Sequence, residues 1–297
     1  MKNFYNVIKS LYINSQTGST LKCYLNLIKW QVGSRLLGCN VIIDWIDDSK
    51  LIVQKGDTGL TGNLYFGLSE FSDMMFLLHS LQENETFIDV GANLGSYSIL
   101  SSKVIGSQTI SFEPVAKTFE RLKQQIILNE VSELVTIHNK GVGSKKEYLY
   151  FTINNDTMNK VYLDEIDEHV AKVEVTTLDS TLDENGKYFI KIDVEGFEYH
   201  VIQGGINILK NSQVSAIIVE TNESSKYYGY GNQPIHNFLI NLNYIPVVYD
   251  PFQKKLTILY NFNQSMGNTI YIKNYDETVS KINSSKKYLI NPINISL

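Results

Sequence analysis

Apolar positions follow two alternating periods from residue 86 onward. Short apolar runs, typical of buried strands, alternate with segments whose apolar residues recur at helical spacing. This alternation predicts parallel strands joined by helices, and therefore an α/β sheet. The predicted strands are Phe87 to Val90, Gln108 to Phe112, Leu134 to His138, Tyr188 to Asp193 and Val214 to Glu220.

The segments around this alternation predict further elements. In the N-terminal part, helical spacing of apolar residues predicts two helices around a glycine turn, and two short apolar runs predict a hairpin. These elements are Phe4 to Tyr12, Leu21 to Val32, the turn at Thr17-Gly18-Ser19, and the hairpin of Val41 to Ile46 with Leu51 to Val53. Residues 1–55 are therefore predicted to form an extension, and residues 56–297 the main domain.

Within the main domain, the segment Gly56 to Gly62 predicts a glycine-rich loop that either covers a site or serves as a connector. Helices are predicted from Ser69 to Leu81 and from Tyr199 to Leu209. Two strands flank a polar insert containing Asp156, Met158 and Asn159, and a closing hairpin joins two C-terminal strands. These strands are Lys146 to Ile153, Val173 to Leu178, Tyr244 to Tyr249 and Asn268 to Lys273.

Composition narrows the class of protein. The 297 residues are 43% hydrophobic and 19% charged, as in globular proteins. A net charge of −5 without a basic block argues against a nucleic-acid partner. The two cysteines, Cys23 and Cys39, predict no disulfide framework, and no apolar run has the length of a membrane span. A cytoplasmic location is the expectation, and membrane contact through the N-terminal helices is disfavoured because their lysines are scattered. The sequence leaves the oligomeric state undetermined.

The segment Thr86 to Ser96 predicts a cofactor site, because a strand runs through a glycine turn into a helix. Backbone N–H groups at such a helix start favour anionic groups, and glycines let a ligand approach the main chain. The spacing is D-x-G-x-x-x-G, over Asp89, Gly91 and Gly95, and not the G-x-G-x-x-G of dinucleotide enzymes. An aspartate there would repel a pyrophosphate but suits a ligand with an amino group and a sulfonium.

Four carboxylates stand at the predicted carboxyl ends of strands, where ligands bind in open parallel sheets. They are Asp89, Glu113, Asp193 and Glu220. Glu113 lies about 20 residues past the glycine loop, the position of an acid that holds a ribose diol. The alternatives are that Asp89 caps the following helix or holds the loop, and that Glu113 is a solvated strand end.

Four motifs occur in order: FIDVGANLGSYS, SFEP, TLD at Thr177 to Asp179, and IKIDVEGFE at Ile190 to Glu198. Over roughly Leu64 to Asn222, the chain resembles the FkbM family of S-adenosylmethionine-dependent methyltransferases. The resemblance implies a Rossmann-like class I fold, with a mostly parallel seven-stranded sheet and an antiparallel last strand. It also implies O-methylation, often of sugars, by a domain spanning 56–297. The implied cofactor-binding residues are Asp89, Gly91, Asn93, Gly95, Ser96, Glu113, Pro114 and Val142.

Methyl transfer to a hydroxyl needs a base that removes the proton of the acceptor oxygen. Asp193 is the first candidate and Glu195 the second, with Glu220 also at the catalytic edge. These three residues also offer the oxygen ligands that Mg²⁺ prefers, although no fixed spacing supports a metal. Glu198 is expected to cap the next helix, and His200 to be structural.

Other readings of the same sheet are less well supported. The sequence lacks the G-x-G-x-x-G fingerprint expected of a nicotinamide dehydrogenase. It also lacks the N/D-P-P-Y/F turn expected of a base-modifying methyltransferase. A non-catalytic S-adenosylmethionine-binding module, or an acceptor that is a small metabolite or a peptide, remains open. Aromatic residues in two segments are predicted to roof the site and to favour a sugar or glycan acceptor; they are Tyr65, Phe66, Tyr227, Tyr228 and Tyr230.

Overall fold

The computed structural model of the chain describes residues 20–37, 40–153, 159–163, 168–211, 213–265 and 267–297. The first predicted N-terminal helix, its glycine turn, Cys39, and Asp156 and Met158 of the polar insert lie outside these ranges. Within them, every helix is too short or too polar to cross a bilayer.

The strands are listed in chain order: β1 (Val41–Asp44), β2 (Lys50–Val53), β3 (Thr86–Val90), β4 (Gln108–Phe112), β5 (Val135–His138), β6 (Gly141–Val142), β7 (Glu147–Thr152), β8 (Val161–Tyr162), β9 (Val170–Thr176), β10 (Tyr188–Ile192), β11 (Val214–Glu220), β12 (Ile245–Asp250), β13 (Lys255–Ile258), β14 (Asn268–Ile272), β15 (Leu289–Ile290) and β16 (Ile295–Ser296).

The helices are α1 (Thr20–Leu37), α2 (Thr58–Phe66), α3 (Phe71–Ser80), α4 (Ser96–Ile99), α5 (Ala116–Leu128), α6 (Leu178–Thr181), α7 (Glu198–Gln203), α8 (Ile206–Lys210), α9 (Gln233–Asn241) and α10 (Tyr275–Ser284). Helix α4 continues as a π-helical turn over Leu100–Ile105, and a 3-10 helix covers Glu223–Tyr228.

The main sheet has eight strands in the order β13-β12-β14-β11-β10-β3-β4-β5. Strands β11, β10, β3, β4 and β5 are parallel, whereas β14 runs antiparallel to its neighbours β11 and β12. The predicted Rossmann-like sheet, its reversed strand and the pairing of the two C-terminal strands are confirmed. Strand β13 pairs with β12 at the outer edge and makes eight strands where seven were predicted.

Register brings the strand ends together at one edge. Val90 at the end of β3 pairs with Phe112 of β4 and with Ile192 of β10, and Ile192 pairs with Val219 of β11. Because these strands are parallel, the residues that follow them emerge side by side. Residues along β3 alternate between the two faces: Phe87 belongs to one buried cluster and Ile88 to another. The sheet is therefore covered on both faces.

A second sheet, in the order β6-β9-β7-β8, lies near this edge. Its apolar side chains, including Phe151, Val161 and Val175, cluster with Phe197 from the segment after β10. The sequence predicted β7 and β9 as strands but did not place them in a sheet of their own.

The predicted hairpin is confirmed as β1 and β2, and it is anchored to α5 by two buried amides. Asn129 Oδ1 accepts the Lys50 N–H at 2.8 Å, and Gln125 Oε1 accepts the Ile52 N–H at 2.9 Å. These side chains satisfy strand N–H groups that would otherwise lack a partner.

Two local predictions were wrong. The predicted glycine-rich loop is largely helix α2, because its residues pack closely enough to stabilise a helix that glycine alone disfavours. A Cβ on Gly62 would lie 2.9 Å from the Cβ of Ser69, whose N–H donates to Asn63 Oδ1. The predicted helix Tyr199 to Leu209 is instead two short helices, α7 and α8, which are interrupted at Gly204-Gly205.

Candidate active site

The glycine loop after β3 needs glycine at its first position. Gly91 has φ of +86°, and a Cβ there would lie 1.8 Å from the carbonyl oxygen of Asp193. Any side chain would therefore be strained and would collide with the segment after β10. This close approach holds the loop and Asp193 side by side.

The N–H groups of this loop bond within the protein. Gly91 and Ala92 donate to the carbonyl oxygen of Phe112 at 3.0 and 2.9 Å, and Asn93 donates to Glu113 Oε2 at 3.0 Å. The expectation that the loop N–H groups attract an anionic ligand is therefore wrong for these three residues. A pyrophosphate would find no donor among them, as the spacing of the motif had suggested on other grounds.

Glu113 is buried at the end of β4, where both of its oxygens are held. Oε2 accepts the Asn93 N–H, and Oε1 accepts the Val115 N–H at 2.9 Å. Burial raises the pKa of Glu113 to about 7, and the two hydrogen bonds act in the opposite direction. Each carboxylate oxygen has a second lone pair, so the side chain remains able to accept hydrogen bonds from a ligand.

Asp89 is buried one residue before the end of β3. Ser98 Oγ donates to its Oδ2 at 2.6 Å. Burial raises the pKa of Asp89 to about 6, while the charge of Lys191 on the adjacent strand lowers it. Asp89 is thus fixed in place by the start of the next helix, without being its cap.

Two cavities at the carboxyl edge form one cleft. The larger has a volume of about 320 Å³ and the smaller about 40 Å³, and both are lined by Gly91, Asn93, Asp193 and Glu195. The remaining predicted residues divide between them. Asp89, Ser96 and Glu220 line the larger cavity, whereas Glu113, Pro114 and Val142 line the smaller one.

Gly95 was predicted to bind the cofactor but is not among the described residues that line either cavity. It has φ of +87°, and a Cβ there would lie 2.6 Å from Cδ1 of Leu122. The glycine therefore lets α4 start close against α5, which is a packing requirement.

Three carboxylates meet in the larger cavity. Asp193, Glu195 and Glu220 each place a carboxylate oxygen within 4.8 Å of the others, a spacing that can also hold a metal ion. Glu195 has φ of +54°, an uncommon conformation for a residue with a side chain. The turn after β10 thus holds Glu195 in a conformation that costs free energy, as turns at functional sites often do.

Proton affinity is high in this cluster. Burial, followed by the charges of Asp193 and Glu195, raises the pKa of Glu220 to about 10. Burial and the charge of Asp193 raise the pKa of Glu195 to about 7. Glu220 Oε2 is buried and has no hydrogen-bond partner among the described residues. At neutral pH Glu220 therefore holds a proton, and the cluster offers both a donor and acceptors.

Lys191 was missed by the sequence analysis. The residue is 3% exposed, and Nζ lies 2.5 Å from Asp193 Oδ2 and 4.6 Å from the ring centroid of Tyr97. Burial opposes its charge, but the carboxylates of Asp193, Glu70 and Asp89 outweigh burial and raise the pKa of Lys191. The available signal was a lysine within the otherwise apolar strand YFIKI.

Glu70 was also missed, and it forms one wall of the larger cavity. Tyr97 Oη donates to Glu70 Oε2 at 2.7 Å, and Asn268 Nδ2 donates to the same oxygen at 2.8 Å and to Asp73 Oδ2 at 2.9 Å. Burial and the charge of Glu70 raise the pKa of Asp73 to about 7. The side chains of α3, α4 and β14 thereby fix this wall.

Glu198 and His200 have structural contacts. Glu198 Oε1 accepts the N–H groups of Val194 and Gly196 at 3.1 and 3.0 Å, which holds the turn before α7. His200 lies parallel to the Phe197 ring, with their centroids 4.1 Å apart.

The predicted aromatic roof is placed differently. Tyr65 and Phe66 are buried, and Tyr65 Oη accepts a hydrogen bond from Gln31, so the prediction that these two face an acceptor was wrong. Tyr228 and Tyr230 donate to main-chain carbonyls, of Val161 and Gly196 respectively. Tyr227 is partly exposed and lies under Lys160, whose Nζ is 3.6 Å from its ring centroid.

The chain was compared with known proteins. Three solved structures with similar folds are a methyltransferase from Pyrococcus furiosus, the Streptococcus mutans protein SMU.1697c in complex with SAH, and a SAM-dependent O-methyltransferase from Thermotoga maritima. Their TM-scores are 0.39, 0.40 and 0.37, and their identities 12%, 11% and 11%. The alignments cover 84%, 68% and 69% of this chain, and 96%, 96% and 64% of those chains. Similarity of this degree says nothing about activity.

No curated protein sequence matches the chain. Residues 89–246, more than half of its 297 residues, match the family described as the methyltransferase FkbM domain. The matched segment contains the glycine loop, Glu113 and the three clustered carboxylates, so the chain belongs to the FkbM methyltransferase family.

Proposed function

We propose that the protein transfers the methyl group of S-adenosylmethionine to a hydroxyl group of a sugar or glycan unit. The observation that carries this proposal is the cluster of Asp193, Glu195 and Glu220, which lies in the same cavity as the glycine loop. The cluster combines a carboxylate acceptor with a protonated carboxyl donor beside the cofactor loop.

The residues of the cleft fit S-adenosylmethionine. Glu113, with Pro114 and Val142 beside it, would hold the ribose and adenine in the smaller cavity. The carboxylates of the larger cavity outnumber its single lysine, Lys191, which suits a ligand that carries an ammonium and a sulfonium. When bound, the cofactor supplies a methyl group that its sulfonium has already activated.

The smaller cavity has to widen for this ligand. Its volume of about 40 Å³ has room for little more than water. Three of its walls, Phe151, Asn159 and Val161, belong to or adjoin the second sheet, whereas Val90 and Phe112 on the main-sheet side belong to a buried apolar cluster. Binding is therefore expected to move the second sheet away from Glu113.

The cluster is suited to a hydroxyl, which donates one hydrogen bond and accepts others. Glu220 is protonated at neutral pH and can donate a hydrogen bond to the acceptor oxygen. The Asp193 carboxylate can accept the proton of the acceptor hydroxyl. Lys191 donates to Oδ2 of Asp193, and Asp193 lines the cavity. Asp193 is accordingly the proposed base, and Glu195 the second candidate.

Charge favours a neutral acceptor. Glu70, Asp89, Asp193 and Glu195 line the larger cavity with a single lysine, so an anionic polymer would be repelled. A sugar unit brings several hydroxyls without negative charge, and resemblance to the FkbM family supports the same class. Tyr227 is the most exposed ring of the predicted aromatic roof, and Lys160 lies against it.

The test is methyl transfer from labelled S-adenosylmethionine to a panel of neutral sugars, amino sugars, peptides, RNA and small metabolites. O-methylation of a neutral sugar is expected, and Asp193→Asn should lower its turnover about 100-fold or more with a small change in cofactor affinity. Labelling of RNA or peptide alone would contradict the sugar assignment. Cofactor binding with no transfer to any acceptor would favour a non-catalytic module.

The same assay tests for a metal. The spacing of the three carboxylates is compatible with Mg²⁺, although the Lys191 ammonium already provides a positive charge beside Asp193. Activity that is lost in EDTA and restored by Mg²⁺ would add a metal to the site and would make Asp193 a ligand before a base.

A further inference from the structure

Helix α1 has two opposite apolar faces. Cys23, Leu27 and Trp30 are buried and belong to the main apolar core. On the other side lie four aliphatic residues at spacings of four, three and four, which place them in one stripe along the helix. This outer stripe consists of Leu21, Leu25, Ile28 and Val32, which are 74%, 45%, 58% and 54% exposed.

The helix is fixed with this stripe facing outward. Asn26 Nδ2 donates to the carbonyl oxygen of Pro292 at 2.7 Å, and Gln31 Nε2 donates to Tyr65 Oη at 3.2 Å. Both bonds lie away from the outer stripe and hold α1 against the rest of the domain. The outer stripe is therefore the surface side of an anchored helix.

Positive charge accompanies the outer stripe. On a helical projection, Lys22 and Lys29 flank one side of the stripe and Arg35 the other. The chain has five basic residues before Asp44, its first acidic residue, although its overall net charge is −5. This segment is thus an entirely basic part of an acidic protein.

An apolar cavity adjoins the same helix. It has a volume of about 290 Å³ and lies between α1, the β1–β2 hairpin and the C-terminal part of the chain. Its walls include Trp30, Ile43, Leu64 and Pro292, and both Lys29 and Asp44 line it. The cavity thus adds apolar surface beside the same helix, with one charge of each sign in its lining.

We propose that the outer stripe of α1 docks the protein on an anionic membrane surface. Aliphatic side chains that enter the headgroup boundary, with lysine and arginine on both flanks, are the features of helices that lie in a membrane interface. The helix would lie on the bilayer and would not span it. The sequence alone disfavoured this reading because the lysines appear scattered until the buried face of α1 is known.

Two other occupants fit the charges less well. A second copy of α1 would bring basic flanks against basic flanks, without an acidic residue on either helix. Residues 1–19 contribute Lys2 and Lys9 and likewise no acid. An anionic lipid surface complements both the apolar stripe and its flanks. The proposal does not depend on the identity of the methyl acceptor.

The experiment is sedimentation of the full chain with vesicles of phosphatidylcholine alone or mixed with phosphatidylglycerol. Binding to the mixed vesicles, weakened by salt, is expected. Leu25→Ser with Ile28→Ser should weaken partitioning at least about tenfold, because burial of even one aliphatic side chain is worth that factor. Lys22→Glu with Lys29→Glu should remove the preference for phosphatidylglycerol.

Ile258→Ser with Tyr260→Ser is the matched control, since both residues are exposed and lie far along the chain near β13. It should bind as the wild type does, and thermal unfolding should show that all variants fold. Wild-type protein that stays in the supernatant with both vesicle types would overturn the proposal, as would unchanged binding of the Leu25/Ile28 variant. A dimer detected by light scattering and abolished in that variant, without vesicle binding, would assign the stripe to a second copy instead.

Discussion

Replacing Lys191 by methionine tests how the acidic cleft is held together. Methionine keeps most of the length and apolar stem of the side chain but removes its charge. The lysine is buried, its Nζ lies 2.5 Å from Asp193 Oδ2, and it is the one basic residue among those that line the larger cavity. Its loss leaves the Asp193 carboxylate without its partner beside Asp89 and Glu70.

Removing one partner of a fully buried ion pair typically destabilises a fold by about 3–5 kcal/mol. Lys191 is buried but the Asp193 side chain is 25% exposed and can be hydrated, so Lys191→Met should cost less than that range in urea or thermal unfolding. Lys117→Met, at an exposed position on α5, is the control and should change the free energy of unfolding by less than about 0.5 kcal/mol.

A second substitution, at Asp193, distinguishes the loss of the ion pair from the loss of side-chain packing. In the double variant Lys191→Met with Asp193→Asn, no carboxylate is left unpaired at position 193, so about 1–3 kcal/mol of stability should return. The charge of Lys191 also lowers the pKa of Asp89 and of Glu195. The single variant should therefore need a higher pH to reach its maximal methyl transfer.

The refuting results are specific. A double variant no more stable than Lys191→Met would show that the lysine does not act through Asp193. A pH profile of methyl transfer that matches the wild type would show that its charge does not set proton affinity in the cleft.

Three further predictions follow from the same geometry. Glu113→Ala should weaken S-adenosylmethionine binding by about 1.5–3 kcal/mol in calorimetry. Glu120→Ala, on the exposed face of α5, is the control and should bind as the wild type does. If the two variants bind the cofactor equally well, Glu113 is not part of the site. Gly91→Ala should destabilise the fold by about 2–4 kcal/mol, because its Cβ would meet the Asp193 carbonyl. Gly231→Ala, with open space around it, should be nearly neutral. Equal free energies of unfolding for the two variants would contradict the predicted strain at Gly91. Burial raises the pKa of Asp89 to about 6 and that of Glu113 to about 7, so the folded state binds these protons more tightly than the unfolded state. The stability that the two protonated side chains contribute is complete below about pH 4 and is lost as the pH rises through about 6–7. The Tm of the unliganded protein should therefore decrease from about pH 5 to about pH 8. A constant Tm over this range would contradict the prediction.

The amino-acid sequence determined those features that depend on local pattern. Alternating periods predicted most strands of the main sheet and the first hairpin, and the glycine spacing located the loop after β3. The reversed strand was implied by the resemblance to the family. Because parallel strands present their carboxyl ends at one edge, the positions of Asp89, Glu113, Asp193 and Glu220 could also be inferred. Ordered motifs identified the family.

Tertiary structure decided which of these residues meet and in what protonation state. Glu70 is held by Asn268, 198 positions away, and Lys191 turns toward Asp193 only because both are enclosed by α3, α4 and the sheet. The raised pKa values come from burial by distant segments, which no local pattern encodes. The same holds for Gly62 of α2, which packs against Ser69, and for the outer stripe of α1, since only folding shows which of its two apolar faces is covered.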